Sequence, residues 1–301
     1  MRTLLSILVI PLLVVGCVGA GAGGSPLVST DPSGAPSTAP TTTARYAVET
    51  GADKLVLRLS VDGGFAGFDY LLTKLPIVAL YGDGRVIIQG PTITTYPSPL
   101  PSNLRQIHVT PAEIQQILAA ADAAGLLGPD TRYDATNVRD AGTTTFRTIE
   151  NGKPHIISAY ALREGGAADD AAVMAARAKL IDFSNKITDL SKFLGRTLSD
   201  AEAYSPTQMR IFVNPLPADD PNFPNRHVIT WPLAVDPRSG EETTRPGITC
   251  LVVGGENLAA FLKAATDANG LTTIWSAPSG LFSVSVRPLY PDESGCMGAA
   301  R

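Results

Sequence analysis

The chain has 301 residues, of which 44% are hydrophobic, 17% charged and 6% aromatic, and its formal net charge is −4. A mildly acidic chain, with fewer charges than the roughly 25% of an ordinary globular protein, lacks the basic stripe that nucleic-acid binders use against phosphates. Nucleic acid is therefore not an expected partner, and the length leaves room for one large domain or two modest ones with real cores.

At the amino terminus Met1-Arg2 is a minimal basic segment, Leu4 to Val15 is an apolar run of 12 residues, and Leu12-Leu13-Val14-Val15-Gly16-Cys17 closes it with a small residue before cysteine. The run falls short of the roughly 18 apolar residues of a spanning helix, and Pro11 and Gly16 interrupt it. This pattern resembles the lipobox signal peptides of bacterial, actinobacterial-type lipoproteins. The resemblance implies a signal peptide over 1–16, acylation (palmitate) on Cys17, and attachment to the cell membrane facing the extracellular or periplasmic side. Durable attachment needs more than one acyl chain.

Residues 17–45 then form a Gly/Ala/Ser/Thr/Pro segment whose only charge before Arg45 is Asp31. Such a segment buries too little apolar surface to offset its ordering entropy, so it is expected to be a disordered tether spanning about 30 Å on average. Gly19 to Gly24 matches GxGxxG, but no strand precedes it and no helix follows, so it predicts no nucleotide site.

A first module is expected over 46–195. Leu55, Leu57, Leu59 and Val61 alternate with Val56, Arg58 and Ser60 as a half-buried strand. Ile77–Tyr81 and Arg85–Gln89 flank Gly82-Asp83-Gly84 as a hairpin, and a Pro-rich link from Pro91 to Pro101 leads to a short strand around Ile107 and Val109. Thr110-Pro111-Ala112-Glu113 is a capping box with proline at the first helical position; Ile114, Ile117, Leu118 and Ala121 share one face of the helix, and Gly125 ends it. Thr143–Ile149 and His155–Ala159 form a hairpin across Asn151-Gly152. One long helix is predicted from Asp169 to Leu194, with Val173, Ala176, Leu180, Phe183, Ile187, Leu190 and Leu194 on its buried face. Residues 195–208 read as a connector.

A second module is expected over 196–301, with strands at Met209–Val213, Val228–Trp231 and Ile248–Val253, a helix over Glu256–Asn269, and a hairpin of Thr272–Trp275 and Leu281–Val286 around Pro278-Ser279-Gly280. Ala120–Leu126 can be laid over Ala265–Leu271, so the modules are possible relatives by duplication. The expected fold class is α+β: two modules, each a small antiparallel sheet with a packed helix, plus the long connecting helix.

Chemistry-bearing motifs are scarce. HExxH, GxSxG, a phosphate loop, an EF-hand loop and CxxC do not occur, and His108, His155 and His227 are widely spaced. His108 falls on the polar side of its strand, and His227 in a polar loop. Ser239 and Ser279 stand beside glycine in turn-like settings. Asp219, Asp220, Asn222 and Asn225, or Asp130, Asp134 and Asp140, could offer hard oxygens to calcium, but Pro217, Pro221 and Pro224 make the first loop read as a stiff solvated turn. Trp231, Phe223 and Tyr204 could form a recognition surface, although with so few aromatics Trp231 and Trp275 read as core. No catalytic residue, metal or cofactor is assigned.

With Cys17 acylated, Cys250 and Cys296 remain as an even pair in an oxidising compartment and are expected to form a disulfide, adding about 4 kcal/mol by the chain-entropy argument. The stretch they enclose is similar in outline to secreted actinobacterial subtilisin inhibitors: Val253-Gly254-Gly255 after a cysteine, Trp275 ahead of a strand, and Asp292-Glu293-Ser294-Gly295-Cys296 at the close. Their second disulfide has no counterpart here. The expected function is a membrane-anchored binding module for an envelope protein or small ligand, with protease inhibition or envelope hydrolysis as alternatives.

Overall fold

The computed structural model describes residues 45–91, 96–135, 137–164, 170–198, 201–216 and 226–296. The expected signal peptide, Cys17 and the tether up to residue 44 lie outside the described residues. In chain order the elements are β1 (Leu55–Gly63), α1 (Phe68–Thr73), β2 (Val78–Tyr81), β3 (Arg85–Gln89), β4 (Leu104–His108), α2 (Pro111–Ala123), β5 (Thr131–Tyr133), β6 (Gly142–Glu150), β7 (Lys153–Tyr160), α3 (Ala171–Thr188), α4 (Leu190–Leu194), β8 (Glu202–Ala203), β9 (Gln208–Leu216), β10 (His227–Thr230), β11 (Glu241–Glu242), β12 (Thr249–Gly254), α5 (Gly255–Ala264), β13 (Thr273–Ala277) and β14 (Gly280–Pro288). They build an α+β fold with an eight-stranded sheet, β5-β7-β6-β1-β2-β3-β4-β8, and a six-stranded sheet, β10-β13-β14-β9-β12-β11.

β1 is central to the first sheet and departs from simple alternation. Leu55 faces Tyr81 and Leu57 faces Leu80, so Val56 is an extra residue with no partner on β2. This bulge switches the face on which the next side chain falls. Leu55 joins a rear layer with Ala79, Tyr81, Ile87 and Leu104, while Val56, Leu57 and Leu59 enter the main core. The expected placing of Val56 on the polar side is thereby corrected. It is 1% exposed.

Local chemistry sets the neighbouring elements. Thr110 Oγ1 accepts from Glu113 N at 3.3 Å while Glu113 Oε2 accepts from Thr110 N at 2.7 Å, the reciprocal cap expected at the start of α2. Asn151 (φ 51) and Gly152 (φ 69) form the β6–β7 turn, whose twist matches that of the strands. The long helix, by contrast, is broken. Asp189 leaves the helical region (φ −126, ψ 67), and its carboxylate accepts from Lys192 N to begin α4. Ile187, Leu190 and Leu194 keep their spacing across the break, which is why periodicity alone concealed it. α2, α3 and α4 together cover the front of the first sheet, with Ile117, Leu118, Leu180, Phe183 and Leu190 in one core with Leu57, Leu80 and Phe146.

The second sheet packs its front against α5. Phe261 stacks on Trp275 with ring centroids 5.1 Å apart, and Trp231 meets Trp275 edge-on at 5.7 Å, so both tryptophans are core. α5 ends at Ala264, shorter than expected, and the chain turns through Ala265–Ala268. Leu100, carried on the link after β3, also enters this core, its N–H donating to Ala268 O at 2.8 Å. β8, although beyond residue 196, pairs with β4 of the first sheet. Residues 44–301 form one compact unit.

Each sheet is antiparallel except for one parallel edge pair, β5 with β7 and β10 with β13. The hairpins enter in opposite order, however: the first strand, β6, lies beside β1, whereas the second strand, β14, lies beside β9. Ala120–Leu126 starts inside α2, while Ala265–Leu271 lies wholly beyond α5. A direct duplication would preserve both features.

Gly84 closes the β2–β3 turn at φ 87, and a Cβ there would fall 2.3 Å from Val109 O, against a backbone already tied by Val109 N–H to Gly84 O at 2.9 Å. Gly84→Ala is expected to lower stability by about 2 kcal/mol or more, read as a drop in urea midpoint with unchanged slope.

Candidate functional site

Three arginines stand inside apolar strands: Arg58 in Val56-Leu57-Arg58-Leu59, Arg210 in Met209-Arg210-Ile211, and Arg287 in Val286-Arg287-Pro288. Neighbouring side chains on a strand point to opposite faces, so Met209, Ile211 and Val213 fill the front core while Arg210 and Phe212 project to the rear of the second sheet. Arg287 is directly opposite Arg210. Beyond β14, residues 289–296 form a strap that supplies the acids and carbonyls these guanidinium groups need.

The pairing is specific. Arg287 forks onto Glu293, Nη1 to Oε2 at 2.6 Å and Nη2 to Oε1 at 2.8 Å, and its Nε donates to Lys74 O at 2.9 Å. Arg58 Nη2 and Tyr81 OH both donate to Asp292 Oδ1 at 2.7 Å, and Arg58 Nη1 lies 3.5 Å from Glu293 Oε1. Arg210 Nε donates to Gly295 O at 2.7 Å. Arg58 and Arg287 both lie near the Tyr290 ring, at 5.5 and 5.9 Å from its centroid, and Tyr204 stacks on the same ring at 6.4 Å. Cys296 then bonds to Cys250 of β12, Cα to Cα 5.8 Å, closing a 46-residue separation. The strap thus bonds to the rear of both sheets.

Burial by itself would raise the Glu293 carboxyl, but the forked hydrogen bonds and charge of Arg287, with Arg58 behind them, outweigh it and hold it below the ordinary carboxylate range. Burial lowers Arg210, with Arg287 opposite it adding to the effect. Burial also raises Tyr81 and Tyr290 well above an ordinary phenol. Among the described residues, Arg58 Nε and Tyr290 OH lack a hydrogen-bond partner. A carboxylate locked by a forked arginine is a poor proton carrier, so this cluster reads as a clasp rather than a reaction centre.

A second feature lies at the end of β1. Gly63 and Gly64 take positive φ values of 76 and 85, Phe65 N–H donates to Asp140 O at 3.0 Å, and Ala66 N–H donates to Gly64 O. The backbone is pinned, yet Phe65 is 93% exposed and Tyr70 and Leu71 of α1 are 57% and 39% exposed. On its inner side α1 contributes Leu72 to the cluster around Phe212, Ile248 and Cys250. Outward it presents an aromatic tip.

The residues singled out from sequence are scattered. Asp219, Asp220, Asn222 and Asn225, with Phe223, lie outside the described residues. Asp130 accepts from Ile156 N, Asp134 pairs with Arg132, and Asp140 uses its carbonyl for Phe65; among the described residues no group of three acidic, His or Cys side chains could hold a metal. His108 is exposed on β4 and His155 is buried, its Nδ1 2.8 Å from Gly128 O. His227 begins β10 rather than occupying a loop. Ser239 and Ser279 both bond to Asp236. Trp275 lies within β13, and Asp292 and Glu293, in the inhibitor-like closing sequence, are clasp residues.

The clasp was missed although it carries a sequence signal, arginine between apolar strand residues, because Arg58 lies 234 positions from Asp292. The tip was missed because one phenylalanine between glycines has no period. Comparisons with protein-family models, curated proteins and solved structures find no match.

Glu293→Gln leaves Arg287 buried without its anion and is expected to cost about 3 kcal/mol. Glu293 is more acidic folded than unfolded, so its contribution is present above the unfolded value of about 4.3 and fades as pH falls through the lower folded value. Between pH 6 and pH 3 the urea midpoint is therefore expected to fall less in Glu293→Gln than in the wild type.

Proposed function

We propose that the chain is a lipid-anchored protein of the cell envelope, facing the extracellular or periplasmic side, that works by binding rather than catalysis. The observation that carries the binding reading is the Phe65–Leu71 tip: a large aromatic held out on a pinned backbone costs little ordering entropy when a partner covers it. The clasp supports the same reading. Its Glu293 carboxylate is committed to the forked bond from Arg287.

The anchor is supported by the short apolar run ending in Val15-Gly16-Cys17 and by the disulfide placement of Cys250 and Cys296, which suits an oxidising compartment. Acylation needs the cysteine sulfur, which serine lacks. The wild-type chain made in a bacterial envelope is expected to partition into detergent and carry an acyl mass on Cys17, and Cys17→Ser to do neither.

The same preparation is expected to show no turnover on ester, peptide and glycoside panels and no slowing of a subtilisin-like protease at near-equimolar amounts. Turnover that disappears on changing His108, His155 or His227 singly would contradict the binding reading.

A further inference from the structure

We propose that Phe65, Tyr70 and Leu71 form a second membrane contact, a tip that enters the lipid interface while the acyl group on Cys17 holds the chain to the same surface. The inference rests on the anchored reading and names the partner of the exposed tip. The tip is a protrusion, 93% exposed at Phe65, on backbone fixed by Asp140 O and two positive-φ glycines. Such a wedge suits a deformable apolar phase. Tyr70 and Lys74 add the usual interfacial chemistry, an amphipathic ring with an ammonium 5.3 Å from its centroid, each with an apolar body and a polar end that stays wet.

The geometry of the chain's entry favours a lipid surface. The chain joins the fold beside the β6–β7 turn, where Ala47 O accepts from Asn151 N. The tip lies at the other end of β6, next to Gly142, which pairs with Gly63. β6 has nine residues, so entry point and tip are separated by about 27 Å at roughly 3.3 Å per residue. The 27 residues between Cys17 and Arg45 can reach at most about 90 Å, so their length permits the acyl group and the tip to meet one surface. For a chain already held to the surface by its acyl group, a second contact is an intramolecular event, so a small apolar tip adds to the hold. Around the tip the exposed carboxylates of Asp62 and Asp140 are offset by Lys74 and by Arg139, exposed beside Asp140. The contact is therefore apolar and gains nothing from anionic lipid.

The test uses the acylated full chain reconstituted into phosphatidylcholine vesicles with brominated acyl chains, in Phe65→Trp and, as the control at the opposite end of β6, Lys153→Trp. Both positions are exposed, so neither change disturbs packing, and native Trp231 and Trp275 are 7% and 0% exposed, out of reach of the quencher. The expected result is severalfold stronger quenching for Phe65→Trp than for Lys153→Trp, unchanged when anionic lipid is added. Protein that sediments with the vesicles but shows equal quenching at both positions, or quenching that grows with anionic lipid, overturns the membrane contact and leaves the anchor standing. Protein that does not sediment overturns the anchor and this inference with it.

Discussion

Arg58 and Arg287 project guanidinium groups from apolar strands into a space that water scarcely reaches, their side chains 12% and 10% exposed. An unpaired charge in such a place is expensive, and pairing repays it only when geometry and hydrogen bonding are good. Asp292 and Glu293 meet that demand, and both sit on the short strap that follows β14. The constraint propagates outward: the strap must end close to β12 for Cys296 to reach Cys250, and Lys74 must bring its carbonyl to Arg287, which fixes the exit of α1.

The same arrangement explains why α1 is half covered. Its inner side is held by Leu72 against the rear of the second sheet and by the Lys74 carbonyl, while the glycine pair at 63–64 turns the preceding segment outward. The exposed tip is thus held out by a well-tied neighbourhood rather than carried on a loose loop. Asp292 with Arg58 and Glu293 with Arg287 give the strap charged partners on both sheets.

How much of this was legible in sequence follows the range of the interactions. The capping box at Thr110–Glu113, the Asn151-Gly152 turn and the Gly82–Gly84 hairpin depend on residues within four positions, and they read correctly. Val56 did not, since a bulge is set by the register of the partner strand. Asp189 did not, because its capping of α4 breaks the helix without disturbing the apolar spacing. The clasp needs Arg58 to meet Asp292 across 234 positions, and alternation read Arg58 simply as a residue of the polar side of its strand. Asp292-Glu293 instead suggested a likeness to inhibitor termini, which their bonding to Arg58 and Arg287 gives no support.

Bonded to both sheets, the strap couples them so that they unfold together. Trp231 and Trp275, the only tryptophans in the chain, both lie in the second core, so their fluorescence reports that sheet alone, and amide exchange in β1 and β6 reports the first. With increasing urea the account predicts coincident midpoints for the two signals in the oxidised wild type. Loss of exchange protection in β1 and β6 at a clearly different urea concentration from the tryptophan transition would contradict it.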